Sequence, residues 1–321
     1  MYACIDLGSN SFHLLIGEWV DGKILIIERC SEKVQLGEGV SATGVISPEA
    51  FQRGLNCLQG FEALMAQHGV RRYWALGTNT FRIADNAGDF IRAAASIGLE
   101  ISIISGVQEA VLIYAGVLSG MADPEGTHLI IDIGGGSTEL IVGSGHQRLI
   151  TQTLPVGCVS WRDRFFTTQM QASPEELENC LVEASKTSRS VFQSVAPGIN
   201  HYQWSAAHGS SGTAKMLASV CHEHGGPLGV ISLEILSELR NGVLNSIFSG
   251  EPLPGLKEKR RDLLLAGYAI MEGLMQALSC DQIIFSPTAL REGMLEFIVS
   301  RGDSAHLLDP SILPDVSYAG S

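Results

Sequence analysis

The sequence predicts an α/β protein built from two related domains, and an internal repeat is the strongest evidence for this. Residues 5–11 (IDLGSNS) match residues 131–137 (IDIGGGS), and the match continues from 14–17 into 140–143, always 126 residues apart. Each copy has the pattern of a buried strand that ends in an aspartate, a turn of small residues and a second strand. Outside the repeat, strands alternate with helices, which is typical of sheets flanked by helices.

The first half of the chain has the pattern β-β-β-α-β-α-β-α. Strands are expected near 3–7, 12–19, 23–30, 72–76 and 101–104. Asp21-Gly22 is a strong turn signal between the second and third strands. Ser47-Pro48 predicts a helix start, with serine as the N-cap and proline at the first helical position. Ser105 and Gln108 resemble a capping box, which places Glu109 in the first turn of another helix.

The second half repeats this theme. Strands are expected near 128–133, 138–143, 147–154, 203–207 and 282–285. Helices are expected after Ser173-Pro174 and near 233–247, 258–278 and 288–300. The sequence therefore predicts a first domain over 1–120, a second over 121–300 and a loosely ordered tail over 301–321.

Composition excludes several classes of protein. The 321 residues are 45% hydrophobic and 17% charged, which is typical of a folded globular protein. A net charge of −13 argues against nonspecific nucleic-acid binding. We expect no signal peptide and no membrane span, because every apolar run is short. The seven cysteines are dispersed and show no CxxC spacing, so we expect reduced thiols and a cytoplasmic location.

Three loops of small residues are candidate phosphate-binding sites. Two are the repeated turns, with Ser9, Asn10 and Ser11 in the first copy and Gly134, Gly135, Gly136 and Ser137 in the second. The third is His208–Thr213, which ends a strand and opens a helix, where free amides and the helix dipole favour anions. Acidic side chains lie beside the repeated turns, at Asp6, Asp132 and Glu139. An aspartate at a strand end suits a divalent cation, so an anion and a metal are expected together.

Other charged residues are more ambiguous from position alone. Glu109 in a first helical turn is ordinarily explained by the helix dipole. Arg82 and Arg291 could each bind a phosphate through two hydrogen bonds, yet arginines are common on surfaces. The one dense basic run comprises Lys257, Lys259, Arg260 and Arg261. It could be an ordinary solvated helix start or a binding patch for a polymeric anion.

Taken together, these segments resemble the exopolyphosphatase / guanosine pentaphosphate phosphatase family of the actin-like ATPase superfamily. The resemblance spans about 290 residues, in the order of the family. The matching stretches are IDLGSNSFHLLI (5–16), GTNTFR (77–82), ISGVQEAVLIYAGV (104–117), LIIDIGGGSTELIVG (129–143), LPVGCVSWRDRFF (154–166), SSGTAKML (210–217), RRDLLLAGYAIMEGL (260–274) and ALREGML (289–295).

The resemblance implies a two-domain actin-like (ribonuclease H-like) fold with duplicated mixed sheets and the active site in the interdomain cleft. It makes Glu109 the general base, and it places Asp132 and Glu139 at the positions associated with Mg²⁺ or another divalent cation. The phosphate cradles would be the two repeated turns, and Arg82, Ser211, Gly212 and Thr213 are expected to bind phosphate as well.

The sequence departs from the family pattern in three places. Gln108 stands where many members carry a second acid, and Pro287-Thr288 replaces a small, flexible pair before Arg291. The chain also stops soon after residue 300, without the C-terminal helical domains of longer members. From this we expect a preference for shorter chains or less processive action.

The leading hypothesis is a Mg²⁺-dependent hydrolase that releases terminal orthophosphate from inorganic polyphosphate. Guanosine pentaphosphate is an alternative substrate with the same cleavage chemistry. An ATP-using kinase or ATPase of the same superfamily, and a nucleotide-binding regulator with little turnover, are further alternatives. Neither a nucleic acid nor a membrane is expected as a partner, and a homodimer is plausible for the family.

Overall fold

The computed structural model describes residues 1–20, 23–122, 124–167 and 173–300, and these divide into two compact units. The first unit is Met1–Met121 together with a segment that begins at Thr288, and the second is Ala122–Pro287. The Asp21-Gly22 turn and the predicted tail over 301–321 lie outside the described residues. The predicted domain limit at residue 120 is one residue from the observed one. The segment from 288 to 300, which the sequence assigned to the second domain, lies in the first unit.

The first unit contains a five-stranded mixed sheet in the order β3-β2-β1-β4-β5. Its strands are β1 (Tyr2–Leu7), β2 (Phe12–Val20), β3 (Lys23–Glu32), β4 (Arg72–Gly77) and β5 (Ile101–Ile103). Strands β1, β2 and β3 pair antiparallel, whereas β1–β4 and β4–β5 are parallel. Parallel neighbours need crossover connections, and these are supplied by helices.

Five helices of the first unit precede residue 122. They are α1 (Val40–Thr43), α2 (Pro48–Gln67), α3 (Asn79–Ile83), α4 (Ala87–Ser96) and α5 (Gly106–Ser119). The predicted caps are confirmed: the Ser47 side chain accepts a hydrogen bond from the Ala50 amide, and Ser105 and Gln108 form a complete capping box. The short helix α3 lies within the GTNTFR segment, for which no secondary structure was predicted from the sequence.

The second unit contains a six-stranded sheet in the order β10-β11-β9-β6-β7-β8. Its strands are β6 (Thr127–Ile133), β7 (Thr138–Ser144), β8 (Gln147–Leu154), β9 (Ala206–Ser210), β10 (Val230–Ser232) and β11 (Gln282–Phe285). Its helices are α6 (Cys158–Phe165), α7 (Pro174–Gln193), α8 (Ala196–Asn200), α9 (Ser211–Glu223), α10 (Leu233–Ser249), a 3₁₀-helix (Glu258–Leu263) and α11 (Leu264–Leu278). The predicted single helix over 258–278 is thus a 3₁₀ turn followed by an α-helix.

The two sheets confirm the internal duplication. Both contain an antiparallel β-turn-β hairpin whose first strand pairs in parallel with the fourth strand of its unit, β1 with β4 and β6 with β9. The registers also correspond, because Asp6 lies opposite His13 and Asp132 lies opposite Glu139. The edge strand β10 is an addition to the second sheet. The predicted fold class, two mixed sheets flanked by helices, is therefore confirmed.

Each unit has its own hydrophobic core. In the first unit the ring of Phe90 on α4 is met edge-on by Phe12, Phe51 and Phe81, with ring centroids 6.2, 5.0 and 5.5 Å away. Phe81 precedes Arg82, so this aromatic cluster fixes the short helix that carries the arginine. No helix among the described residues combines the length and the hydropathy that a membrane span requires.

The last helix, α12 (Leu290–Ser300), belongs to the first unit because it crosses α5 at two glycines. A methyl group at Gly116 would overlap the Ala289 carbonyl, and one at Gly293 would overlap the Leu112 carbonyl. Backbones can approach this closely only where both helices lack a side chain at the crossing. Such a tertiary contact between distant segments explains the difference from the predicted division of the chain.

Candidate active site

The first small-residue turn joins β1 to β2 and is almost fully buried. Ser9, Asn10 and Ser11 are 4%, 7% and 8% exposed. The Thr80 hydroxyl donates to Ser9 Oγ over 2.8 Å, and Asn10 Nδ2 donates to Ser11 Oγ over 3.1 Å. Asn10 Oδ1 is buried and has no hydrogen-bond partner within the described part of the chain. The turn therefore holds its hydroxyl groups in a fixed arrangement.

A segment that follows β3 supports this turn from its backbone side. The Gln35 amide donates to the Asn10 carbonyl over 2.8 Å, and the Gly37 amide donates to the Ser9 carbonyl over 2.9 Å. Gln35 adopts a left-handed conformation with φ of 53°, which is uncommon for a residue other than glycine. Because these carbonyls are bonded internally, anion binding by the turn would rest on its amides and hydroxyls.

Glu109 and Arg82, predicted as the base and as a phosphate ligand, form an ion pair. Arg82 Nη1 lies 2.9 Å from Glu109 Oε2 and donates over 2.9 Å to the Ile104 carbonyl. The side chain of Arg82 is 20% exposed and that of Glu109 is 10% exposed, so solvent screens this charge-assisted bond weakly. The arginine therefore fixes the position of the carboxylate at the start of α5.

The Gln108 departure has a structural explanation. Its Oε1 accepts a hydrogen bond from the Ser105 amide over 2.8 Å, and its own amide donates to Ser105 Oγ over 3.2 Å. A capping box works with either Glu or Gln at this position. Gln108 thus completes the cap that places Glu109 in the first turn.

In the second unit, Asp132 and Glu139 are direct cross-strand neighbours on β6 and β7. Side chains at directly opposed positions of an antiparallel pair lie on the same face of the sheet. Asp132 Oδ1 accepts a hydrogen bond of 2.6 Å from the Ser210 hydroxyl, and Glu139 is only 1% exposed. The structure therefore brings the two predicted metal ligands together beside the glycine turn.

This carboxylate pair fits a magnesium ion. Mg²⁺ is commonly bound by one or two protein carboxylates, with water and substrate phosphate oxygens completing the octahedron. Across the described ranges, no group of three or more His, Cys, Asp and Glu side chains is gathered as a metal centre. Asp132 and Glu139 supply the hard oxygen ligands that such an ion would take.

The start of helix α6 is hydrogen-bonded to the glycine turn, residues Gly134–Ser137. The amides of Cys158 and Val159 donate to the carbonyls of Gly134 and Gly135 over 2.9 and 2.8 Å. Gly157 precedes this helix, and a methyl group there would overlap the backbone of Gly135 and Gly136. The carbonyls of the turn are thus bonded to a helix start, which fixes the direction of its peptide groups.

The segment His208–Thr213, predicted as a loop, consists of the last three residues of β9 and the first three of α9, and we keep the name third loop for it. The hydroxyls of Ser211 and Thr213 both donate to the Ile133 carbonyl, over 2.9 and 3.2 Å. Ser211 has a positive φ of 80°, a strained conformation for a residue with a side chain. Because the hydroxyls are bonded internally, the anion-binding groups available here are the amides at the helix start.

His208, the first residue of this loop, is neutral near pH 7. Burial, together with the charge of His128, lowers the pKa of His208 to about 4. The two rings are in edge-to-face contact, with centroids 5.3 Å apart. This histidine therefore packs within the sheet and is no proton donor at physiological pH.

The residues of the basic run have different surroundings. Arg261 donates to Glu258 over 2.8 Å and to the Ser246 carbonyl over 2.8 Å, whereas Lys257 and Lys259 are exposed. The guanidinium of Arg260 lies against Gly212, where it occupies the space that a side chain would take. Only Arg260 of this run thus reaches a predicted phosphate loop.

Arg291 is the second residue of α12, in the first unit. Burial raises the pKa of the nearby Cys4 thiol, and Glu292 raises it further, while the Arg291 charge acts in the opposite direction. Arg291 thus belongs to a different unit from the basic run of Lys257, Lys259, Arg260 and Arg261.

Sequence reasoning missed two supporting residues. Ser210 bonds Asp132, and Thr80 bonds Ser9. Both lie inside segments that had been singled out, GTNTFR and the His208–Thr213 loop. The presence of a hydroxyl in such a segment could have marked each residue as a candidate. The partner of each hydroxyl could not have been predicted, because it lies more than 70 residues away in the chain.

Comparison with known proteins decides the family. The model of the Ppx/GppA phosphatase family matches residues 15–301. The chain belongs to the Ppx/GppA phosphatase family. A Haemophilus influenzae protein named "Putative exopolyphosphatase" is 36% identical over 295 residues, which cover 91% of this chain and 90% of that protein. The chain is therefore a phosphatase, and these relatives favour neither a kinase nor a non-catalytic regulator.

Solved structures agree with this family and fold. An exopolyphosphatase from Cytophaga hutchinsonii is 27% identical with a TM-score of 0.82, covering 95% of this chain and 99% of that one. A Ppx/GppA family member from Aquifex aeolicus is 25% identical with a TM-score of 0.73, covering 94% of this chain and 98% of that one. The predicted actin-like fold of this Ppx/GppA protein is confirmed.

The contact between α6 and the glycine turn gives a testable prediction. Gly157→Ala should lower kcat/KM by about tenfold to a hundredfold, since small displacements of phosphate-binding groups are costly. Gly242→Ala is the matched control, because a methyl group at Gly242 on α10 meets no atom within 4 Å. Phosphate release assays on both variants measure the effect. Equal activity of the two would mean that the turn tolerates displacement.

Proposed function

We propose that this phosphatase releases terminal orthophosphate from inorganic polyphosphate, by attack of a water molecule that Glu109 deprotonates. The observation that carries the proposal is the partly buried Arg82–Glu109 ion pair. It holds a carboxylate in a fixed position at a helix start, as a general base requires. The names of the Haemophilus and Cytophaga relatives support polyphosphate as the substrate.

The proposed roles divide between the units. In the first unit, Glu109 accepts the proton of water, and Ser9, Asn10 and Ser11 bind phosphate oxygens. In the second unit, the phosphate-binding groups are the turn from Gly134 to Ser137, the start of α9 and Arg260. Fixed amides and an arginine stabilise charge on phosphate oxygens without having to reorganise during the reaction.

Asp132 and Glu139 would hold Mg²⁺. The cation would neutralise phosphate oxygens when bound. Ser210 keeps one oxygen of Asp132 oriented through its hydrogen bond of 2.6 Å. An outer hydrogen bond of this kind is a usual support for a metal ligand.

Guanosine pentaphosphate is the second candidate substrate, because it carries the same kind of terminal phosphoanhydride bond as polyphosphate. Phosphate release should therefore be measured with polyphosphates of several lengths, guanosine pentaphosphate and ATP, each with and without Mg²⁺. We expect the highest kcat/KM with polyphosphate and Mg²⁺. A higher value with guanosine pentaphosphate would reverse the assignment.

We also propose a cytoplasmic location and, from the family, a homodimer. The seven cysteines, all within the described residues, are free thiols, which fits a reducing compartment. Cell fractionation and sedimentation of the purified chain test these two proposals. Recovery outside the cytoplasm, or the mass of a single chain, would contradict them.

The role of Glu109 predicts the behaviour of Glu109→Gln. The amide oxygen can still accept the Arg82 hydrogen bond, so fold and substrate binding should persist. Turnover should fall by about a hundredfold or more, the usual scale for a general base. Glu49→Gln is the matched control, since Glu49 is an exposed acid in the first turn of α2. Wild-type turnover of Glu109→Gln would exclude Glu109 as the base.

The proposed cation site predicts an altered magnesium requirement. In Asp132→Asn the Ser210 hydrogen bond can be kept while one ligand charge is lost. The Mg²⁺ concentration for half-maximal rate should rise about tenfold or more. The control is Asp281→Asn, at an exposed aspartate of the same unit. If Asp132→Asn keeps both its magnesium titration and its turnover, Asp132 is not a ligand.

The exposed lysines of the basic run predict a dependence on chain length. Attraction to a solvated charge is screened within about 8–10 Å at ordinary salt. Lys257→Ala/Lys259→Ala should therefore raise KM for long polyphosphate at low salt and leave the shortest substrates nearly unchanged. Lys186→Ala/Arg189→Ala, with the same change of charge on exposed positions of α7, is the control. An equal effect on all chain lengths would identify the run as an ordinary solvated surface.

A further inference from the structure

Helix α6 contacts two of the proposed phosphate-binding parts of the second unit. Its first amides bind the carbonyls of the glycine turn, as described above. From its next turn, Arg162 reaches the 3₁₀-helix that carries Arg260. The helix is itself anchored, because the Trp161 indole donates to the Ala184 carbonyl of α7 over 3.3 Å. It is thus well placed to hold both parts together.

Arg162 is a buried arginine bound to two aspartates. Its Nε and Nη2 donate to Asp163 Oδ1 over 2.8 and 2.7 Å, and its Nη1 donates to Asp262 Oδ2 over 3.2 Å. Only 11% of its side chain is exposed. An arginine so far removed from water forms strong, directional bonds to its carboxylate partners.

The second aspartate lies two residues from Arg260. Arg260 itself forms no ion pair with any described carboxylate, and its guanidinium lies against Gly212 at the start of α9. Burial raises the pKa of the Cys158 thiol, a hydrogen bond with Thr213 and the charges of Arg260 and Arg162 lower it, and the charge of Asp262 raises it. Both arginines therefore influence the same thiol, at the first residue of α6.

We propose that Arg162 is a positioning residue: by binding Asp262 it keeps this carboxylate away from Arg260, which stays against the start of α9 and free to bind substrate phosphate. The inference rests on the proposed function of Arg260. Arg261, bonded to the Ser246 carbonyl over 2.8 Å, holds the same 3₁₀-helix at a second point. The two residues that follow Arg260, Arg261 and Asp262, are thus bonded within the protein, so that the Arg260 guanidinium can bind a ligand.

The physical reason is competition between charges. Without Arg162, the Asp262 carboxylate would lose a cationic hydrogen-bond donor in a partly buried setting, where a loss of charge compensation is unfavourable. Arg260 lies two residues away on the same 3₁₀-helix, and its neighbour Arg261 is already bonded to Glu258. An ion pair between Asp262 and Arg260 would neutralise Arg260 and draw it from Gly212. Removal of the Asp262 charge should then reverse the harm done by removal of Arg162, which loss of packing alone would not allow.

The test measures binding of sodium tripolyphosphate by calorimetry in magnesium-free buffer with a chelator, so that hydrolysis does not contribute. Arg162→Met should raise Kd about tenfold, roughly the worth of one charge-assisted hydrogen bond. Arg162→Met/Asp262→Asn should return to within about twofold of the wild-type Kd, as should Asp262→Asn alone. Arg240→Met, which removes another arginine bound to a buried acid, is the control and should bind normally.

Arg260→Ala completes the design. It should weaken binding by itself, and Arg162→Met should add nothing in that background. The inference would be overturned if Arg162→Met/Asp262→Asn bound tripolyphosphate as weakly as Arg162→Met. It would also be overturned if Arg162→Met raised Kd by the same factor in the Arg260→Ala background as in the wild type. A normal Kd for Arg260→Ala would overturn it too, by removing its premise, whereas absence of polyphosphate hydrolysis in the wild type would overturn the proposed function. Thermal unfolding is recorded for each variant, and Arg162→Lys, expected to be intermediate in Kd, replaces Arg162→Met if that protein does not fold.

Discussion

The candidate site depends on one constraint, the parallel pairing of the first strand of each unit with the fourth, β1 with β4 and β6 with β9. In the second unit this register sets Asp132 opposite Ser210, so the carboxylate, its hydroxyl partner and the start of α9 meet at one edge of the sheet. In the first unit the same pairing sets Leu7 opposite Gly77, and Thr80 can then bond Ser9. Strand ends that meet in this way bring together residues more than 70 positions apart, which no local interaction could achieve.

The duplicated hairpins have diverged at one informative position. The residue opposite the aspartate is His13 in the first unit and Glu139 in the second. Two acidic oxygen donors suit a hard divalent cation, whereas a carboxylate and an imidazole side by side do not form the same site. In the first unit the carboxylate proposed as the general base, Glu109, lies instead on the helix after β5. The same hairpin register is thus combined with different flanking side chains in the two units.

Local signals in the sequence predicted local structure well. The caps at Ser47 and Ser105 and the buried apolar runs of the hairpins were sufficient to locate helix starts and strands, because each depends on neighbours in the chain. The ion pair of Arg82 with Glu109, and the crossing of α5 by α12 at Gly116, depend on tertiary packing and left no comparable signal. The 3₁₀-helix before α11 was not predicted for the same reason, since its Arg261 is bonded to the Ser246 carbonyl of α10. The sequence thus identified the candidate site residues, whereas their contacts with one another became visible only in the structure.

The internal bonds of several arginines bear on how a chain of net charge −13 could bind a polyanion. Arg82, Arg162 and Arg261 are bound to acids or carbonyls of the chain itself, so their charges serve to fix the site. On the proposed assignment, the groups left for the ligand are backbone amides at turns and helix starts, together with cations such as Arg260. Amides do not titrate, and buried dipoles are screened less than solvated charges. Recognition would thus depend more on the fixed geometry of the phosphate loops than on net charge, and the acidic remainder of the surface would disfavour polyanions that cannot enter those loops.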